Sequence, residues 1–140
     1  MDRKSVGIIS HSYGRIVYDL FIKISVSASN GEKKEVEALI DTGATCSCIK
    51  KEYIRYLAPK RVNMIREANG EEVGTYYLNI HLSDEFVIEN FPVSEMPSYL
   101  GEEFLIGMDI ITQGDFLVTN YENQTAITFR IPSEQKTCFS

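Results

Sequence analysis

The chain of 140 residues has no tryptophan, four prolines and three cysteines. None of its apolar runs approaches the ~20 residues that a membrane-spanning helix requires. The start, Met-Asp-Arg-Lys, opens no apolar stretch of signal-peptide length. An odd number of cysteines, at Cys46, Cys48 and Cys138, supplies no disulfide framework. Cys46-Ser47-Cys48 is too tight for a zinc site, and no second pair completes it. His11 and His81 stand apart without ligand spacing, so neither metal nor other cofactor is expected. Reduced thiols fit a cytoplasmic protein. Positive charge is also scarce: 14 Lys and Arg face 20 Asp and Glu, a net charge of −6. The basic residues are scattered, which argues against a nucleic-acid partner.

What is present is an apolar fraction of 44%, with eight Tyr and seven Phe. That composition and length suit one ordered domain with its own core. Ile16, Tyr18, Leu20, Ile22, Ile24 and Val26 sit on alternate positions, with Asp19, Lys23, Ser25 and Ser27 opposite, the period of a half-buried strand. Asn30-Gly31 makes a hairpin turn, because both positions tolerate positive φ. The return strand runs through Val36, Ala38 and Ile40. Lys50 to Ala58 reads as a short helix with Tyr53, Ile54 and Leu57 on one face, stopped by Pro59. Further short strands follow at 62–65, 75–80, 86–88 and 91–93, the last placed near a sheet edge by Pro92. A final hairpin joins 116–119 to 125–131. Many short strands with one or two small helices indicate an all-β barrel or sandwich.

The return strand ends at Asp41, and the chain then turns through Thr42, Gly43 and Ala44. A carboxylate at the end of an apolar strand costs free energy unless something uses it. From the residues alone, Asp41 is either a turn-forming aspartate or a working acid. Far downstream, Leu105-Ile106-Gly107 is a second short apolar run closed by glycine. Asp109 then stands at the N-cap position of a one-turn helix that Gly114 ends. Cys46 and Cys48 read as small buried residues on the strand leaving the Asp41 turn.

Together, Ala38–Thr45 and Phe104–Asp109 resemble the retropepsin family, the retroviral-type aspartic proteases. Asp-Thr-Gly-Ala matches the family's catalytic loop, and Leu-Ile-Gly matches the segment passing behind it. The resemblance runs in order from about residue 16 to 131. It lies closer to stand-alone cellular members than to viral ones, whose flap is denser in glycine. It implies an all-β, closed acid-protease barrel with one or two short helices. Residues 15–132 would be the protease domain, 1–14 an N-terminal arm or edge strand, and 133–140 a polar tail.

The resemblance also implies roles. Asp41 would be the catalytic carboxylate. Thr42, Gly43 and Ala44 would support its loop: Thr42 by reaching to a partner's loop, Gly43 by letting its amide approach the carboxylate, Ala44 by lining the cleft floor. Ala68, Asn69, Gly70 and Glu71 would form the flap that closes on substrate. Leu105, Ile106, Gly107 and Asp109 would be structural elements behind the site. Family enzymes work with two carboxylates, and this chain carries one Asp-Thr-Gly. A second copy of the chain is therefore the expected partner, and a peptide or protein the expected substrate. The alternative from a different class is a non-catalytic retropepsin-like module that dimerises or binds peptides.

Overall fold

The computed structural model describes residues 6–28, 31–57, 61–66 and 72–140. Six strands close a barrel. They are β2 (Phe21–Ser27), β3 (Lys33–Ile40), β8 (Phe104–Ile106), β4 (Cys48–Ile49), β7 (Val87–Glu95) and β6 (Glu72–His81), in that spatial order. The ring shuts where β6 meets β2, pairing His81 with Ser25 and Asn79 with Ser27. Ser27 Oγ and His81 Nε2 lie 2.8 Å apart across that seam. Strand β5 (Arg61–Arg66) extends β6 as a hairpin whose last described pair is Arg66 with Glu72. A second sheet of three antiparallel strands orders β1 (Gly7–Ser12), β10 (Ala126–Ile131) and β9 (Asp115–Thr119). Two short helices, α1 (Lys51–Leu57) and α2 (Met108–Ile111), complete the fold with a 3₁₀ turn at Tyr121–Asn123.

Alternation in the sequence becomes alternation of faces. Ile22, Ile24 and Val26 of β2 point inward, as do Val36 and Ala38 of β3. Leu78, Ile80, Ile88, Val93, Phe104 and Ile106 meet them from the other barrel strands. Removing this apolar surface from water is the main driving force for the closed ring. The three-stranded sheet adds Ile127, Phe129 and Ile131 to the same core, where Phe129 stacks on Phe86 with centroids 6.0 Å apart. From α1, Ile54 and Leu57 are buried as their spacing predicts.

Several expectations need correction. The first barrel strand starts at Phe21, not Ile16, and Tyr18 is 94% exposed. The reason lies in Thr125, which claims the backbone before Phe21. Tyr13 N donates to Thr125 O, Thr125 N to Arg15 O, and Val17 N to Thr125 Oγ1. Those groups have no need of a sheet partner. Pro92 lies inside β7 with β6 on one flank, and its other flank is open. It is tolerated because β4 pairs only with Ser94 and Glu95, so on that side no ladder bond is required of Pro92. Cys48 is buried, but Cys46 is exposed. The β2–β3 hairpin forms, with Ser27 opposite Lys33, and Gly31 has φ of +83°. Asn30 and the flap residues Ala68, Asn69, Gly70 and Glu71 lie outside the described residues.

Residues 7–12 of the expected arm form the edge strand β1, paired along its length with β10. The start of the tail is tied down, because Ser133 Oγ and Glu134 N both donate to the Asp115 carboxylate. Among the described residues no helix is long and apolar enough to cross a membrane.

Candidate active site

Asp41 follows β3 directly. That strand runs parallel to β8, with Leu39 opposite Leu105 and Ile40 opposite Ile106. The pairing carries one residue further, since Asp41 N donates to Ile106 O at 2.9 Å. On the other flank Ile40 N donates to Leu20 O at 2.9 Å. The strand therefore delivers Asp41 from between two fixed neighbours.

The turn beyond it is held by its own amides. Gly43 N donates to Asp41 Oδ1 at 2.8 Å, and Ala44 N to Asp41 O at 3.1 Å. A Cβ on Gly43 would stand 3.1 Å from that same carboxylate oxygen, so glycine suits the close approach. Thr42 and Gly43 are exposed, while Asp41 and Ala44 are half-buried. The Thr42 hydroxyl has no hydrogen-bond partner among the described residues, and no cation pairs there with Asp41.

The segment 105–109 passes behind this turn and is bolted to it. Met108 N donates to Ala44 O at 2.8 Å, and Asp109 N to Thr45 O at 3.2 Å. Gly107 permits this contact: a Cβ would lie 2.9 Å from both Ala44 O and the Cys46 carbonyl carbon. Those are backbone atoms with nowhere to yield. Asp109 is not the N-cap that the sequence indicated. Gly107 holds the cap position, with no side-chain cap, and Asp109 sits inside the first turn. Its carboxylate turns back instead to accept from Ser47 N at 2.9 Å, Ser47 Oγ at 2.7 Å and Ile110 N at 2.9 Å. Ser47 Oγ in turn accepts from Gly107 N at 3.0 Å.

Ser47 is thus central to the loop, and sequence reasoning missed it. It is fully buried between two cysteines, with its partners some sixty residues away, so no local pattern marks it. Leu105 and Ile106 are buried as expected, but on different sides of β8. Ile106 joins the main core, whereas Leu105 joins a second apolar cluster with Cys48 and Met96, flanked by Leu39 and Leu100. Leu39 and Leu105 stand two residues before Asp41 and Gly107 on their strands.

A groove of about 710 Å³ lies elsewhere, between β1 and the outer face of β2, lined by Ile8, Phe21, Lys23 and Glu37 among others. No residue of the Asp41 loop lines it. Among the described residues no group of His, Cys, Asp and Glu is arranged to hold a metal ion.

Comparison with known proteins agrees with this geometry. The family model for "gag-polyprotein putative aspartyl protease" matches residues 27–113, a span that includes Asp41, Gly107 and Asp109. Among solved structures, a retropepsin-like aspartic protease from Rickettsia conorii superposes with a TM-score of 0.62 at 14% identity, covering 94% of this chain and 99% of that one. The retroviral protease-like domain of Ddi1 from Leishmania major gives a TM-score of 0.50 at 14% identity, covering 80% and 92%. Among curated proteins, none matches in sequence. With well over half its length matched, and with its barrel closed in the retropepsin manner, the chain belongs to the gag-polyprotein aspartyl protease family.

Proposed function

We propose that the protein is an aspartic endopeptidase whose working unit is a homodimer, with the Asp41 carboxylates of two copies sharing one water. The observation that carries this reading is the Asp41 loop itself. Its carboxylate accepts from Gly43 N within the turn, the chain behind it is tied by the Ser47, Asp109 and Gly107 bonds, and the tip, Thr42-Gly43, stays exposed. Each chain offers one such loop, so a two-carboxylate site requires a second chain about a two-fold axis. The Thr42 hydroxyl, without a partner among the described residues, suits a contact with the partner's loop.

In that unit two carboxylates stand too close for both to ionise, so they share a proton. The ionised Asp41 takes a proton from water, whose oxygen adds to the scissile carbonyl carbon. The protonated Asp41 gives its proton to the carbonyl oxygen. Proton return to the amide nitrogen then breaks the C–N bond and leaves a carboxylic acid and an amine. An extended peptide would lie along the loops as an added strand. Its apolar side chains would rest on the half-buried Leu39 and Leu100, which pack over Cys48, Met96 and Leu105, favouring large hydrophobic residues beside the cut bond. Ala44 would floor this cleft, and the hairpin of β5 and β6 would cover it. The cysteines form no disulfide, in keeping with a reducing, cytoplasmic setting.

The test is a peptide-library cleavage assay of wild type beside Asp41→Asn from about pH 4 to pH 7, with light scattering on the same samples. The variant should lose roughly 10²–10⁴-fold or more in kcat/KM while keeping its circular dichroism. Equal cleavage by the variant, or a monomer at every working concentration, overturns the proposal. Binding of a statine-type transition-state mimic without any cleavage would establish a non-catalytic peptide-binding module instead.

A further inference from the structure

A second carboxylate is buried near the site, and neither the barrel nor the proposed chemistry accounts for it. Glu95 ends β7 and is only 9% exposed. Its Oε1 accepts a hydrogen bond from the Tyr76 hydroxyl at 2.8 Å, and its Oε2 lies 3.9 Å from Lys51 Nζ at the rim. Burying a carboxylate is costly, and apolar residues would stabilise the same place at least as well. What the pair supplies is placement.

On one side it grips β6. A Cβ at Gly74 would stand 2.7 Å from the Tyr76 hydroxyl oxygen and 2.9 Å from Cε2 and Cζ, so the ring lies directly against the Gly74 backbone. Gly74 is two residues from Glu72, the last described pairing of the β5–β6 hairpin. On the other side the pair grips the chain leaving the Asp41 loop. Glu95 pairs with Ile49 of β4, and Met96 N donates to Ile49 O at 2.7 Å. Ser94 N donates to Ser47 O at 3.2 Å, and Ser94 Oγ meets Thr75 Oγ1 at 3.4 Å. Ser47 is the residue that holds Asp109 and Gly107 behind Asp41. The links from Gly74 to the Asp41 loop are therefore continuous.

We propose that Tyr76 and Glu95 are positioning residues whose buried hydrogen bond fixes the β6 arm relative to the Asp41 loop. The consequence for turnover rests on the endopeptidase reading above; the consequence for the arm does not. Lys51, half-exposed and at 3.9 Å, adds little.

Amide hydrogen exchange and steady-state kinetics on the full chain test this. Tyr76→Phe should raise exchange at Val73, Gly74 and Thr75 by about tenfold or more, with Ile24 and Val36 unchanged. It should raise KM about fivefold or more while kcat stays within about twofold. Gly74→Ala, which pushes the ring off Glu95, should give the same pattern. Glu95→Gln keeps an acceptor for the hydroxyl and should recover most of both properties. If Tyr76→Phe fails to fold because it strands a buried charge, the double variant Tyr76→Phe/Glu95→Gln removes that charge and serves in its place. Unchanged exchange at residues 73–75, or a fall in kcat at constant KM, overturns the proposal. Absence of Asp41-dependent cleavage in the wild type would instead defeat the endopeptidase reading, and the exchange result would still decide whether the pair fixes the arm.

Discussion

Replacing Ser47 by alanine isolates the force that holds the Asp41 loop to its backing. Ser47 makes three bonds in this clasp: Oγ to Asp109 Oδ1 at 2.7 Å, Gly107 N to Oγ at 3.0 Å, and its own amide to Asp109 Oδ2 at 2.9 Å. Ser47→Ala deletes the first two and leaves the third. Losing a hydrogen bond to a charged acceptor costs about 1.5–3 kcal/mol, and leaving the buried Gly107 N–H without a partner costs about 1–3 kcal/mol more. The sum is about 2.5–6 kcal/mol, a large share of the roughly 5–15 kcal/mol that holds a domain together. At about 2–4 °C per kcal/mol for a domain near this size, the melting temperature should fall by roughly 5–24 °C. Urea unfolding and calorimetry at one fixed protein concentration measure it, because any association would shift both. Ser12→Ala, an exposed serine on β1, should stay within about 0.5 kcal/mol of wild type. Combining Ser47→Ala with Asp109→Ala should reveal a coupling above about 1 kcal/mol, since the two side chains share the bond. A loss below about 1 kcal/mol from Ser47→Ala would refute the view that this clasp anchors the loop.

The surface carboxylate of Asp115 is held well below its ordinary value of 3.8, first by the Ser133 hydroxyl, then by the Glu134 amide and Arg130. A depressed carboxylate stabilises the fold above its unfolded value and loses that contribution as pH falls through the folded one. The stability gap between wild type and Asp115→Asn should therefore shrink steadily as pH drops below 3.8, followed by acid unfolding. His81 is pulled below its ordinary 6.5, chiefly by burial and then by Lys33, with Asp84 opposing. Protonation thus favours the unfolded chain, so stability should decline as pH falls from 6.5 toward the folded value, and His81→Gln should flatten that slope. Mixing one part wild type with three parts Asp41→Asn should cut activity to about a quarter, because most wild-type copies then pair with an inactive partner. Unchanged activity on mixing would mean that a single chain suffices.

The parts of the site that were legible in the sequence are those whose reason is local. Asp41 is visible because an apolar strand ends on it and Thr42-Gly43 turns the chain at once. Gly107 is visible because it closes a short apolar run. What stayed hidden depends on partners far along the chain. Ser47 looks like a spacer between two cysteines until Asp109 and Gly107 fold beside it. Asp109 has the local spacing of a cap, yet the same carboxylate gains three donors by turning toward Ser47, and Gly107 takes the cap position with extended backbone. Ile16, Tyr18 and Leu20 keep the spacing of a strand, but Thr125 bonds Tyr13 N, Arg15 O and Val17 N and draws the chain before Phe21 away from the barrel ladder. Period two identifies a segment that could be a strand; the competition for its amides decides whether it is one.

That competition also explains why the fold is easier to read from the sequence than the loop's support. The barrel is specified many times over by strands whose inward faces are apolar, so one misread boundary leaves it closed. The loop depends on a few buried polar atoms, each used once. Ser47 Oγ is acceptor to one strand's end and donor to the helix that follows it. Glu95 has Tyr76 and Lys51, and little room for a substitute. Polar groups placed so sparingly in an apolar frame fix positions rather than add stability, because each has a partner only in one arrangement. An exposed Asp41 tip on such a foundation is held still without being shielded. That combination suits a carboxylate whose remaining partner comes from outside its own chain.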